Sequence, residues 1–369
     1  MVYLDYSATS PVDEKVLESF NKTVKYIGNP NSLHKLGQEA KHLIDLSTEQ
    51  ISQILNLKDK EIIYTSGATE SNNTVIKAME FYQNRGKKII TTKLEHSSIY
   101  APLKYLEKKG FEIIYVPLID GIVDINALEN MLKDVTLVSI SMVNSETGIR
   151  QPIEQIAEML KKYPKTYFHT DITQAIGKIK FDLKDVDFAS FSAHKFFGLK
   201  GVGGLIKNKN INITPLISGG KSTTNYRSGT PATPLIVSTA KALRLAYENL
   251  EEEKIKYLNE KIKENIQKYP NVIINSTQNS IPHILNFSVL NIKPETFMHS
   301  LEKDEVYIST QSACAKGNYS EAVLALTNNK EISSHSLRVS ISKKTTEEEI
   351  DIFLKAFERS IKELSWKNC

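Results

Sequence analysis

The chain has 369 residues, 40% of them hydrophobic and 24% charged, which suits a soluble globular protein with room for two domains. Against 43 acidic residues stand 47 basic ones, and the net charge of +4 is too mild to predict a nucleic-acid or membrane partner. The only two cysteines, Cys314 and Cys369, exclude a disulfide scaffold and a four-thiolate metal site; no metal is expected, and a reducing cytoplasm is the expected compartment.

The opening "MVYLDYSATSP" lacks the basic start and apolar stretch of a signal peptide, and no later apolar run reaches the length of a membrane span. From about residue 66 to 204, β-rich runs alternate with amphipathic helical stretches. "EIIYTSG", "KKIITT", "FEIIYVPL", "VTLVSISMV", "KTYFHTD" and "DFASFSAH" read as strands buried on both faces. Between them, "ESNNTVIKAMEFYQNRG", "SSIYAPLKYLEKKG" and "PIEQIAEMLKKYP" carry apolar residues at helical spacing. The alternation predicts an α/β fold: a mostly parallel sheet covered by helices on both sides. After Thr230 come one or two long helices, then a smaller strand-and-helix region whose last helix opens with Thr346 and Glu349 at capping-box spacing. The domain boundary falls near Glu251. The expected division is a large domain of residues 13–250 and a small α+β domain of 1–12 with 251–369.

Chemistry collects where strands end, the usual ligand position in such sheets. "TSGATESNN" follows a strand and opens a helix, so its N–H groups and the Thr69 hydroxyl suit an anion. "KLEHSS" offers His96, "HTDITQ" offers Asp171 and Gln174, and "SAHK" offers Ser192, His194 and Lys195. Each taken singly reads more readily as a helix cap or a solvated loop residue. Together they form a phosphate cradle, an imidazole that can stack, a carboxylate and a lysine able to form a Schiff base, the partners that pyridoxal phosphate requires.

In these motifs the sequence resembles the cysteine desulfurases, in the class V aminotransferase group of fold type I pyridoxal-phosphate enzymes. The resemblance runs in order through "YLDYSATSP", "GNPNSLHKLGQEA", "TSGATESNN", "EHSS", "VNSETGIRQP", "HTDITQAIGK", "SFSAHKFFGLKGVGGL", "RSGT", "SACAKG" and "HSLRVSIS". It implies that Lys195 forms the internal aldimine with pyridoxal 5'-phosphate, Asp171 pairs with the ring nitrogen, Gln174 reaches the ring hydroxyl and His96 stacks on the ring. Ala68, Thr69, Ser192 and His194 would hold the phosphate, with Thr230 reaching across from the second subunit of a homodimer. Asn29 and Arg338 would grip the substrate carboxylate, a bidentate task for the guanidinium. Cys314 would be the nucleophile that takes sulfur from L-cysteine and passes it, as a persulfide, to an acceptor protein for iron–sulfur clusters or tRNA thiolation.

Three departures from the family pattern stand out. Ser145 replaces an asparagine that contacts cofactor and substrate, Ser222 and Thr223 replace a Gln/His–Glu pair, and Gln311 replaces a glycine two before "AC". Two alternatives stay open: a selenocysteine lyase or aminotransferase on the same scaffold, which does not need the Cys314 thiolate, and a weakly active scaffold for a sulfur-carrier partner, which only these departures support.

Overall fold

A computed structural model of the chain describes residues 1–220, 222, 224–310 and 319–365. Thr223, Gln311, Cys314 and Cys369 lie outside the described residues. A seven-stranded sheet takes the spatial order Lys60–Thr65, Gly203–Asn208, Phe188–Ser192, Tyr167–Asp171, Val135–Ser139, Lys88–Thr91, Glu112–Tyr115. All pairings from Phe188–Ser192 outward are parallel, so these strands end on the same side of the sheet.

Successive residues of the central strands enter different apolar clusters. Ile89, Leu137, Phe188 and Leu205 join one, whereas Ile90, Val138, Ala189 and Ile206 join another. Side chains alternate across a pleated sheet, so burial on both faces calls for an unbroken apolar run. Glu112–Tyr115 departs from that expectation: it pairs only with Lys88–Thr91 at the sheet edge, and its two end residues are exposed. Gly203–Asn208 is a strand that the apolar pattern did not reveal. It runs antiparallel between Lys60–Thr65 and Phe188–Ser192. A Cβ at Gly203 would meet the Phe191 carbonyl oxygen at 2.2 Å and Gly67 Cα at 2.7 Å, so strand propensity yields there to close backbone approach.

The helix Thr233–Glu248 packs on Glu14–Thr23 and Lys35–Ile54 beside the large sheet. Regular helix then stops at residues 249–251, where Glu251 is left-handed with φ +50°. The next helix, Glu252–Ile266, sends Ile255, Leu258, Ile262 and Ile266 into a different core. That core surrounds an antiparallel sheet ordered Val272–Ile274, Ile284–Val289, Ser336–Ser340, and is closed by Phe353 and Phe357 of the helix Glu347–Ser365. The capping box forms ahead of that helix: Glu349 N–H donates to Thr346 Oγ1 at 3.2 Å, and Thr346 N–H donates to Glu349 Oε2 at 2.8 Å. Val2 and Leu4 belong to this second core, and Val2–Tyr3 pairs in parallel with Val306–Tyr307. From there the chain crosses to the ends of the large-sheet strands. Among the described residues no helix is long and apolar enough to cross a membrane.

Candidate active site

The strand Lys60–Thr65 turns through Gly67 into the helix Ala68–Ala78, which has no side-chain cap at Gly67. Gly67 has φ +153°, and a Cβ there would stand 3.1 Å from Ser192 Oγ. Glycine therefore lets the turn lie against the end of Phe188–Ser192. Ala68 N–H donates to Ser192 Oγ at 2.7 Å, and Thr69 is exposed in the first helical turn. Seven residues of the same helix are buried, among them Asn72, whose Nδ2 donates to Asp171 Oδ2 at 2.8 Å and to Ser98 Oγ at 2.9 Å. Asp171 ends its strand buried, and its Oδ1 accepts from Thr173 N–H at 2.9 Å. Ser98 contacts His96 Nδ1 at 2.8 Å, and His96 caps the helix Ser97–Glu107 by accepting from Ser98 N–H. His96 is exposed on one side, yet desolvation by the protein around it lowers its pKa, opposed by Asp171 and reinforced by Lys195. Phosphate-side, carboxylate and imidazole residues are thus joined through Asn72 and Ser98.

Lys195 follows directly after Phe188–Ser192, in the short turn Ala193–Lys195. Its Nζ donates to the carbonyl oxygens of Ser7 at 2.5 Å and Ala8 at 2.7 Å, with no carboxylate in contact among the described residues. Burial first, and the Arg338 charge second, push its pKa down to about 8 against the opposing pull of Asp5 and Asp171. An amine this easily deprotonated is suited to act as a nucleophile and base. Gln174 Nε2 also donates to the Ser7 carbonyl, at 2.9 Å, while its Oε1 accepts from Lys178 Nζ at 2.5 Å. His194 Nδ1 lies 3.0 Å from Thr9 Oγ1, and desolvation holds its pKa down to about 4, so the ring is neutral at pH 7.

Arg338, on Ser336–Ser340, is 4% exposed. Its guanidinium donates through Nη2 to Asp5 Oδ1 at 2.7 Å and through Nη1 to the Ser145 carbonyl at 2.9 Å; Nε has no partner among the described residues. Ser145 therefore meets Arg338 through its backbone. Asn29 is exposed, and its side chain accepts from Asn31 N–H, which closes its own turn. Thr230 is exposed and lines a cavity with Tyr64, Ser66, Ser222 and Arg227. The structure joins Ala68, His96, Asp171, Gln174, Ser192 and Lys195 through a few hydrogen bonds and mutual charges, links Arg338 to them through the N-terminal segment, puts Thr230 in a cavity beside the turn that leads into Ala68, and shows no hydrogen bond from Asn29 to any of them among the described residues.

The class-V aminotransferase family model matches residues 2–353. A NifS/IcsS protein homologue of Lactobacillus delbrueckii subsp. bulgaricus is 41% identical over 97% of this chain and 96% of its own length. A relative named cysteine desulfurase IscS, from Dictyoglomus turgidum, is 38% identical over 98% and 95%. The chain belongs to the class-V aminotransferase family, among its cysteine desulfurases. A solved NifS-like protein superposes on this class-V chain with a TM-score of 0.91 at 37% identity, covering 98% of it and 99% of the other chain. A second, from Rickettsia africae, gives 0.88 at 32% identity with the same coverages.

Enzymes of this family depend on pyridoxal phosphate, and the residues of this class-V chain fit that group. The Gly67 turn leaves the start of a helix free of any side-chain cap, beside the Ser192 hydroxyl. Asp171 is a buried carboxylate held by Asn72, and Lys195 is an amine of lowered basicity. Reading residue types at strand ends did not single out Asn72, Ser98, Asp5 or Lys178. All four lie inside the quoted motifs, and the signal for Lys178 is its spacing of four from Gln174.

Proposed function

We propose that this class-V chain is a cysteine desulfurase that converts L-cysteine to L-alanine and carries the sulfur away as a persulfide. The observation that carries the reading is Lys195, a lysine of lowered pKa at a strand end, electrostatically coupled to Asp171 and His96. Pyridoxal 5'-phosphate, when bound, supplies an electron-accepting ring that makes cleavage of the substrate carbon–sulfur bond feasible. Ala68, Thr69, Ser192 and His194 are the residues to hold its phosphate, Asp171 its ring nitrogen, Gln174 its ring oxygen and His96 its face. Neutral His194 brings a donor without a second charge, and the helix N-terminus supplies the favourable dipole.

The Lys195 amine takes the α-proton of cysteine, and His96 serves later proton transfers. Arg338 and Asn29 receive the substrate carboxylate. The Cys314 thiolate attacks the substrate sulfur: the carbon–sulfur bond breaks, a sulfur–sulfur bond forms, and the remaining carbon takes a proton to leave as alanine. The persulfide then passes to an acceptor protein for iron–sulfur clusters or tRNA thiolation.

The working form is a cytoplasmic homodimer, in which Thr230 of one subunit reaches the phosphate of the other. Residues 13–250 form the cofactor domain, and 1–12 with 251–369 form the domain that bears the cysteine. A spectrum of the purified protein before and after adding cysteine, with alanine and sulfide measured, tests the reaction. Cys314→Ser is expected to keep the yellow colour and accumulate no persulfide, whereas Cys369→Ser matches the parent. Release of alanine and sulfide at the parental rate by Cys314→Ser overturns the role of Cys314. A fully active monomer in sedimentation overturns the composite site.

A further inference from the structure

Lys178 follows the strand Tyr167–Asp171 by seven residues and is 7% exposed. Its Nζ donates to Gln174 Oε1 at 2.5 Å. Burial, Lys195 and Arg338 all hold its pKa well below the ordinary lysine value, and among the described residues no carboxylate pairs with it in return. It lines a cavity with Lys195, Tyr6 and His283, and the buried His283 Nδ1 has no partner among the described residues. A lysine placed so deeply without a counter-charge needs a physical reason.

The reason lies in the amide between the two lysines. The Ser7 carbonyl only accepts, so the end of Gln174 that faces it must be the nitrogen. The amide oxygen then faces Lys178, and an amine donates in either protonation state. The same Ser7 carbonyl receives Lys195 Nζ, so the donor end of Gln174 is presented on the Lys195 side. Without Lys178 the amide oxygen would be buried and unpaired, and the Ser7 carbonyl, which is shared with Lys195 Nζ, would alone hold the amide's direction.

We propose that Lys178 is a positioning residue that fixes which end of the Gln174 amide faces Lys195, and so ensures that an N–H donor meets the ring oxygen of the bound cofactor. This rests on the reading that Lys195 carries the cofactor and Gln174 lies against that oxygen. A donor at the oxygen stabilises its anion, so the yellow Lys195-linked chromophore gives up its proton at a lower pH. The charged and titratable groups facing Lys195 are Arg338, Asp5, Asp171, His96, His194 and Lys178; those facing Lys178 are Lys195, Arg338, His194 and His283, and the Lys178 substitutions below leave all but Lys178 itself in place.

Absorbance–pH titration of cofactor-loaded protein tests the assignment. Lys178→Met and Lys178→Leu are expected to raise the chromophore pKa by about one unit, the size of one charge-assisted hydrogen bond. Lys178→Arg, which keeps a donor, is expected to stay near the parental value. Two substitutions guard against one of them failing to fold. If the folded Lys178→Met or Lys178→Leu protein titrates as the parent while Gln174→Ala is shifted, Lys178 does not orient the amide. If Gln174→Ala also titrates as the parent, the placement of Gln174 against the cofactor falls, and this inference with it.

Discussion

Lys195 shows how burial sets chemistry. With its pKa held to about 8, the free-amine fraction grows about tenfold per pH unit below that point and levels off above it. Yellow colour in cofactor-free protein given pyridoxal phosphate should therefore develop about fivefold faster at pH 8 than at pH 7, with less than a further twofold gain by pH 9; Lys195→Ala should form no such colour and show no turnover. Arg338 answers to two demands, because the side chain expected to hold substrate is also ion-paired to Asp5. Arg338→Ala should raise KM strongly without changing the resting absorbance, and should also destabilise the fold by about 3 kcal/mol, since a mostly buried carboxylate loses its partner. Steady-state kinetics and denaturation of that one variant read both effects. His283 is neutral in the fold, with its pKa held to about 3 by burial, whereas the ordinary value is 6.5. The unfolded chain thus binds the extra proton between those values, and stability is lost as pH falls through that window, by up to about 1.4 kcal/mol per unit. His169 and His194, both held to about 4, add to the loss. Buried Glu95 is raised to about 7 and works the other way: above its unfolded value of 4.5 the fold keeps its proton, so acidification from 7 to 4.5 favours the fold. Three histidines outweigh one glutamate. Denaturant midpoints should fall below pH 6.5, and His283→Gln should flatten that decline.

At the scale of elements, the chain was legible wherever one physical rule dominated. Strands such as Val135–Ser139, buried at every position, announce themselves as apolar runs, and their ends mark the site. The capping box of Thr346 and Glu349 was readable because its partners are three residues apart. Thr346→Ala should cost about 1 kcal/mol, and Phe357→Ala, further along the same helix among Phe287, Phe297 and Phe353, about 3–5 kcal/mol. Equilibrium unfolding ranks the two, and an equal loss would mean that packing does not dominate that helix. Gly203–Asn208 escaped notice because two glycines, demanded by tight contact with Phe191, erase strand propensity. The Arg338–Asp5 pair escaped for another reason: 333 residues separate its members, and no local pattern reports such a distance. Gln174 was legible as a cofactor residue by resemblance, while the direction of its amide became visible only with Ser7 and Lys178 in place.

Across the whole molecule, residues 5–10 act as a tie. Asp5 holds Arg338, Ser7 N–H donates to Ser340 Oγ at 2.9 Å, Ser7 and Ala8 receive Lys195, and Ser10 Oγ donates to the His194 carbonyl at 2.8 Å. The order in which a ribosome delivers these parts has a consequence. The tie emerges long before its anchors at Val306–Tyr307 and Ser336–Ser340. Such distant closures add little to the entropic demand of a loop but delay folding, because the contacts that reward them come last. The large sheet has all its strands by Asn208 and can assemble early, while its reactive lysine waits for its cover. Nascent chains stalled so that synthesis ends before Val306 should leave Lys195 open to amine-labelling reagents, and chains released at full length should protect it. A stretch made late, in effect, decides when one made early closes over the lysine.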